Sequence, residues 1–176
     1  GAPPDWRGLD ESAGWNADGY GVMWHGTDGK PLAHRSMRWA DVRKHAMELV
    51  NSRTSCAIHQ RFATHGEPGP INRHPFIVPN HDGLLIHNGI VSHVPGGIPA
   101  GENDSRTLAR WLGGFNVNGK KAWPKIKYRV KQILNSGKVL VALPEGRWEL
   151  INPEYGVTKE GVWYSSRSIF DRRVSV

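Results

Sequence analysis

Three short segments of the chain hold the residue types that could do chemistry. They read HQRFATHG at 59–66, followed by NRHPF at 72–76, then HNGIV at 87–91 and NDSRT at 103–107. The guanidinium of Arg61 could grip a carboxylate through two parallel charged hydrogen bonds, which a lysine would not reproduce. The carboxylate of Asp104 could pair with an ammonium group. Taken alone, each has a plainer explanation, because Arg61 suits a structural salt bridge, Asn88-Gly89 a hairpin turn and Asp104 a helix cap.

The surrounding sequence predicts the elements that position these residues. Ser55 to Ala63 alternates as a strand, with Cys56 on one face and Arg61 on the other. Leu84 to His87 is an apolar strand closed by the Asn88-Gly89 turn. Asp104 to Trp111 has helical spacing, and Asn103 or Asp104 could cap its amino end.

The rest of the chain predicts more short elements and a loop-like amino end. Residues 1 to about 20 are rich in Gly, Pro, Asp and Ser, which favours irregular structure and leaves a first strand missing. Further elements are a hairpin from Tyr20 through the turn at 25–30, helices over Trp39 to Val50 and from Trp123, and strands near 139–143, 148–151 and 162–165. Helices between groups of antiparallel strands predict an α+β layered fold. At 176 residues we expect a single domain over 1–176.

Composition narrows the class of protein. No apolar stretch approaches the roughly 20 residues that span a bilayer, and residues 1–5 show neither the basic start nor the apolar run of a secretion signal. The single cysteine, Cys56, excludes an internal disulfide framework and any multi-cysteine metal site. We therefore expect a cytoplasmic, reducing compartment and no membrane partner.

Two other kinds of site are less well supported. Six histidines fall between His59 and His93, but they lack the paired spacing of a helical zinc motif, so we expect no metal. The formal charge of +7 would attract polyanions, and the basic stretch from Lys120 to Lys131 could contact nucleic acid. Its apolar residues form a helical core stripe, which favours a solvated helix face over a nucleic-acid site.

In their order and spacing, the three segments resemble class II glutamine amidotransferases, which are N-terminal-nucleophile hydrolases. NADGYG at 16–21 is a weaker match, and WYSS at 163–166 is compatible with a late strand of the family. The compact form resembles stand-alone domains of phage and bacterial genomes. The resemblance implies a four-layer αββα sandwich with two antiparallel sheets, and it implies no cofactor.

The resemblance also implies a role for each site residue. Arg61 would bind the carboxylate of glutamine and Asp104 its ammonium, while the Asn88 side chain and the Gly89 N–H would hold the oxyanion. Thr64 and His65 would line the pocket beside Arg61. The implied reaction is hydrolysis of glutamine to glutamate and ammonia through a thioester.

The nucleophile of the family is a cysteine at the mature amino terminus, whereas this sequence starts with Gly1. Strand alternation turns Cys56 away from Arg61, so we expect a cysteine upstream of Gly1, on the missing strand. The alternative is an inactive domain that serves as a binding or assembly module. The expected partners are glutamine or a related amide, and a separate ammonia-accepting synthase or a larger assembly. A phage-encoded form would lie in the virion or the host cytoplasm.

Overall fold

A computed structural model of the chain describes residues 2–62, 69–91, 93–117 and 119–171, and in these ranges it has an α+β fold. In chain order the elements are α1 (Trp6–Trp15), β1 (Tyr20–His25), β2 (Pro31–Ser36), α2 (Trp39–Asn51), β3 (Cys56–Gln60), β4 (Phe76–Val78), β5 (Gly83–Asn88), α3 (Asp104–Leu112), α4 (Trp123–Leu134), β6 (Lys138–Leu143), β7 (Arg147–Ile151), β8 (Val157–Lys159), β9 (Val162–Tyr164) and α5 (Ser168–Asp171). None of the helices in the described ranges has the length and apolar character needed to cross a membrane.

The strands form antiparallel sheets, as predicted. The first sheet has the order β2-β1-β3, the second has the order β4-β5-β6-β7, and β8 pairs with β9. The hairpin predicted from Tyr20 is confirmed, with Tyr20 opposite Ser36. The helices predicted to begin at Trp39, Asp104 and Trp123 begin at those residues.

The prediction of an irregular amino end is wrong, because residues 6–15 form α1. Asp5 caps this helix, since its Oδ1 accepts a hydrogen bond of 3.0 Å from the N–H of Gly8. Ala13 is buried in an apolar cluster, and the Tyr20 hydroxyl donates to its carbonyl at 2.8 Å. Packing against β1 stabilises a helix whose glycines obscure the apolar period.

Three apolar clusters pack these elements against one another. In the first, Val22 of β1 packs with Val42 and Ala46 of α2. The second lies between the two large sheets and includes Met23 of β1 and Ile86 of β5. The third joins the opposite face of the second sheet to α3 and α4; it includes Leu85, Val139, Leu108 and Val130. Strand alternation explains the pattern, because neighbouring residues such as Val22 and Met23 point to opposite faces.

Candidate functional site

A cavity of about 270 Å³ lies where the ends of β3, β5 and α3 meet. Its lining includes four of the six predicted site residues, namely Arg61, Asn88, Gly89 and Asp104. The other two, Thr64 and His65, lie outside the described residues. The cavity is slightly smaller than the about 300–1,000 Å³ typical of pockets for drug-sized ligands, so its size suits a small polar molecule.

Arg61 is held one residue beyond the end of β3. Its N–H donates to the carbonyl of Gly19 at 2.9 Å, and its carbonyl accepts from the N–H of Asp18 at 3.0 Å. The residue is only 4% exposed. Burial lowers the pKa of the guanidinium, whereas the carboxylates of Asp18 and Asp104 raise it. Arg61 therefore remains a buried cation at neutral pH. Asp18, to which the sequence analysis gave no role, belongs to its electrostatic surroundings.

The Asn88-Gly89 turn closes β5, and its geometry requires glycine. Gly89 has a φ of +130°, and a Cβ at this position would lie 2.8 Å from Cα of Gly137. The Nζ of Lys138 donates to Oδ1 of Asn88 at 3.1 Å. An ammonium group has only donors, so this contact sets the Asn88 carbonyl oxygen toward Lys138 and leaves its N–H bonds for another acceptor. Sequence reasoning missed Lys138 because it comes opposite Asn88 only through the β5–β6 register.

Asp104 is the first residue of α3, but it does not cap the helix. Asn103 is the N-cap, and its side-chain oxygen accepts from the N–H of Arg106 at 2.7 Å. The Asp104 carboxylate accepts instead from the N–H of Val91 and the N–H of Ser105, both at 2.7 Å. Asp104 is 6% exposed, and its carboxyl group lies buried close to the turn after β5.

Three histidines, His59, His74 and His87, form a further part of the cavity wall. The rings of His59 and His74 have centroids 4.0 Å apart. Burial lowers the pKa of His59 to about 3 and that of His87 to about 4, and it lowers the pKa of His74 well below its ordinary value. These three imidazoles are therefore neutral at pH 7. Across the described ranges, no three His, Cys, Asp or Glu side chains are grouped so that they could hold a metal ion.

Because these imidazoles stay neutral in the folded protein, we expect the protein to lose stability in mild acid. In the unfolded chain a histidine titrates near pH 6.5, whereas His59 in the folded protein stays neutral until about pH 3. Between these values the unfolded chain binds more protons, so the free energy of unfolding falls as the pH falls, by up to about 1.4 kcal/mol per pH unit for this residue. Urea unfolding between pH 7.5 and 4.5 should therefore show a flatter pH dependence for His59→Gln than for the natural protein. If the free energy of unfolding, taken relative to its value at pH 7.5, changed equally with pH in both proteins, this expectation would be wrong.

Cys56 is not part of this cavity. It packs with Ile58 against the cluster beneath α2, on the opposite face of β3 from Ala57. Burial raises the pKa of the thiol to about 11, so it is protonated at neutral pH. Its place in this cluster agrees with the expectation that strand alternation turns Cys56 away from Arg61.

Part of the chain is similar to proteins named glutamine–fructose-6-phosphate aminotransferase (isomerizing). It is 33% identical over 88 residues to the protein of Lactiplantibacillus plantarum, 31% over 87 residues to that of Bacillus licheniformis, and 50% over 36 residues to form 1 of Rattus norvegicus. These matches cover 49%, 49% and 20% of this chain. They cover only 14%, 14% and 5% of the relatives, so the similarity is to a small part of longer proteins. No family model matches the chain.

Proposed function

We propose that this chain forms a class II glutamine amidotransferase domain that hydrolyses glutamine to glutamate and ammonia. The observation that carries the proposal is the convergence of Arg61, Asp104 and the Asn88-Gly89 turn on one cavity. A buried cation and a buried anion match the two charges of a free amino acid. The partial similarity to proteins whose names include glutamine supports the same substrate.

Each group would act on one part of glutamine. Arg61 would bind the α-carboxylate by a forked pair of hydrogen bonds, and Asp104 would accept from the α-ammonium. The side-chain carbonyl would then point to the turn, where the amide of Asn88 and the N–H of Gly89 donate to the oxyanion. Donors of this kind contribute about 10² to 10³-fold in turnover.

The nucleophile in this proposal is a cysteine at the mature amino terminus, whose own α-amine would act as the base. A groove of about 750 Å³ runs beside β3 and shares His59 and Asn88 with the cavity. Among the described strands, β3 pairs only with β1, so its other edge is open to a further strand. A strand in this groove would extend from near Ala2 to the cavity. With this strand in place, the helices and sheets that the three apolar clusters join would form the layers of the four-layer αββα sandwich. We infer that they make up a single domain.

A second candidate is a ligand-binding module without catalysis. The same convergence of Arg61 and Asp104 on one cavity would serve binding of an amino acid alone. In the catalytic case the ammonia would go to a separate synthase or be released. In the other case the bound amino acid would serve assembly or regulation.

Binding of glutamine analogues tests the proposal. Calorimetry on residues 1–176 should detect L-glutamine, whereas glutaramate, which lacks the ammonium, and 4-aminobutanamide, which lacks the carboxylate, should bind at least about tenfold more weakly. Asp104→Asn should remove most of the preference for glutamine over glutaramate. Ammonia release by the product of the complete gene separates the two candidates. Equal affinity for all three compounds would rule out both candidate functions.

A further inference from the structure

A chain of hydrogen bonds links Asp104 to His87, beneath the Asn88-Gly89 turn. The Ser105 hydroxyl lies 3.2 Å from Oδ1 of Asp104 and 2.8 Å from Nδ1 of His87. All three side chains are buried, with exposures of 6%, 4% and 2% for Asp104, Ser105 and His87. A buried polar chain of this kind has little access to water, so its own partners determine its geometry.

The positions of the protons follow from the acceptor at one end. A carboxylate only accepts, so the Ser105 hydroxyl donates to Asp104. Its oxygen is then the acceptor for His87, which must carry its proton on Nδ1. The low pKa of His87 agrees with a neutral ring. This order also argues against Ser105 as a nucleophile, because His87 donates to Ser105 and cannot take its proton.

The same groups hold the turn at both ends. Asp104 binds the N–H of Val91, just after the turn. The His87 ring lies under the turn itself: a Cβ on Gly89 would be 3.4 Å from its Nε2, and a Cβ on Gly137 would be 3.1 Å away. Nε2 is buried and has no hydrogen-bond partner among the described residues. The ring therefore supports the turn by packing, while its orientation depends on the bond to Ser105.

Counted over the described residues, one acceptor position of Asp104 is left for a ligand. A carboxylate accepts at about four sites, and Asp104 already accepts from Val91 N–H, Ser105 N–H and the Ser105 hydroxyl. An ammonium at the remaining site would withdraw charge from these bonds. Because hydrogen-bonded groups polarise one another, the change would reach Ser105, His87 and the turn.

We propose that Ser105 and His87 are positioning residues that couple ammonium binding at Asp104 to the geometry of the oxyanion turn. This inference rests on the proposed function, and it assigns a role in catalysis to two residues that do not contact the reacting amide. A substrate without an α-ammonium would then lose turnover as well as affinity.

Nitrogen NMR on residues 1–176 tests the coupling without any nucleophile. Long-range ¹H–¹⁵N spectra should show His87 as the Nδ1–H tautomer, and Ser105→Ala should shift it toward Nε2–H, while Ser105→Thr preserves it. L-glutamate should shift the amide signals of Val91 and Gly89. In Ser105→Ala the Val91 shift should persist, because Asp104 binds it directly, and the Gly89 shift should fall by at least about half.

Several outcomes would overturn the coupling. They are an Nε2–H tautomer in the natural protein, a tautomer unaffected by Ser105→Ala, an undiminished Gly89 shift, or covalent labelling of Ser105 by a glutamine-analogue electrophile. If glutamate does not bind while the tautomers behave as expected, the proposed function fails and the hydrogen-bonded chain stands without its coupling role.

In ammonia release by the complete gene product, Ser105→Ala should lower kcat about 10- to 100-fold with KM changed less than about threefold, and Ser105→Thr should restore kcat.

Discussion

Arg61→Lys should weaken binding of L-glutamine and L-glutamate about 10- to 100-fold while the protein stays folded. The substitution keeps a positive charge in the cavity, where the carboxylates of Asp18 and Asp104 continue to stabilise it. It removes the planar fork that binds both carboxylate oxygens at once. A charge-assisted hydrogen bond contributes about 1.5–3 kcal/mol, and each 1.4 kcal/mol is tenfold in Kd. Calorimetric titration with L-glutamate measures the effect directly.

Arg73→Lys is the matched control for this experiment. Arg73 lies in the segment after β3, but its Nε donates to the carbonyl of Pro70 and it does not line the cavity. The control makes the same chemical change and keeps the net charge, but it lies outside the cavity lining. It should therefore change Kd less than about threefold. If both variants bind equally well, the carboxylate of the ligand does not lie at Arg61.

Gly21→Ala should lower the free energy of unfolding by about 3 kcal/mol or more. Gly21 lies in β1, and a Cβ there would overlap the carbonyl oxygen of His74 and come within 2.9 Å of its carbonyl carbon and 3.0 Å of Cδ of Pro75. These atoms are backbone and ring, so relief requires the segment carrying His74 to move away from the first sheet. For a protein of this size the loss corresponds to a Tm about 6–12 °C lower.

Gly14→Ala provides the contrast within the same chain. Gly14 lies in α1, and a Cβ there would meet nothing within 4 Å. Alanine should therefore stabilise the helix by about 0.5–1 kcal/mol. Scanning calorimetry of the three proteins checks both signs. A Gly21→Ala protein as stable as the natural one would show that β1 and the His74 segment do not pack as closely as described.

Both predictions concern how separate segments are brought to one cavity. Arg61 reaches it from the end of β3, and His74 reaches it because Gly21 allows His74 and Pro75 to approach β1 closely. Substitutions at these two places should be distinguished by which measured quantity changes first. Arg61→Lys changes Kd at constant Tm, whereas Gly21→Ala changes Tm first and Kd only through the displaced wall.

Local sequence was a good guide where local forces dominate. The alternation around Cys56 predicted β3 and the direction of its side chains, and the capping residues predicted where α3 begins. It failed for residues 6–15, because α1 depends on packing against β1 more than on its own glycine-containing sequence. The short strand β4 was also not predicted, since three residues form a strand only by pairing with β5.

The sequence by itself determined the period of the strands and helices, the chemical types of Arg61, Asn88 and Asp104, and the exclusion of Cys56 from their face. These properties follow from neighbouring residues, whose spacing along a strand or helix sets which way a side chain points. Only the tertiary structure decided which distant groups complete the site. Lys138 meets Asn88 across 50 positions, and Ser105 meets His87 across 18. Sheet register and helix packing create such contacts, and no local period specifies them.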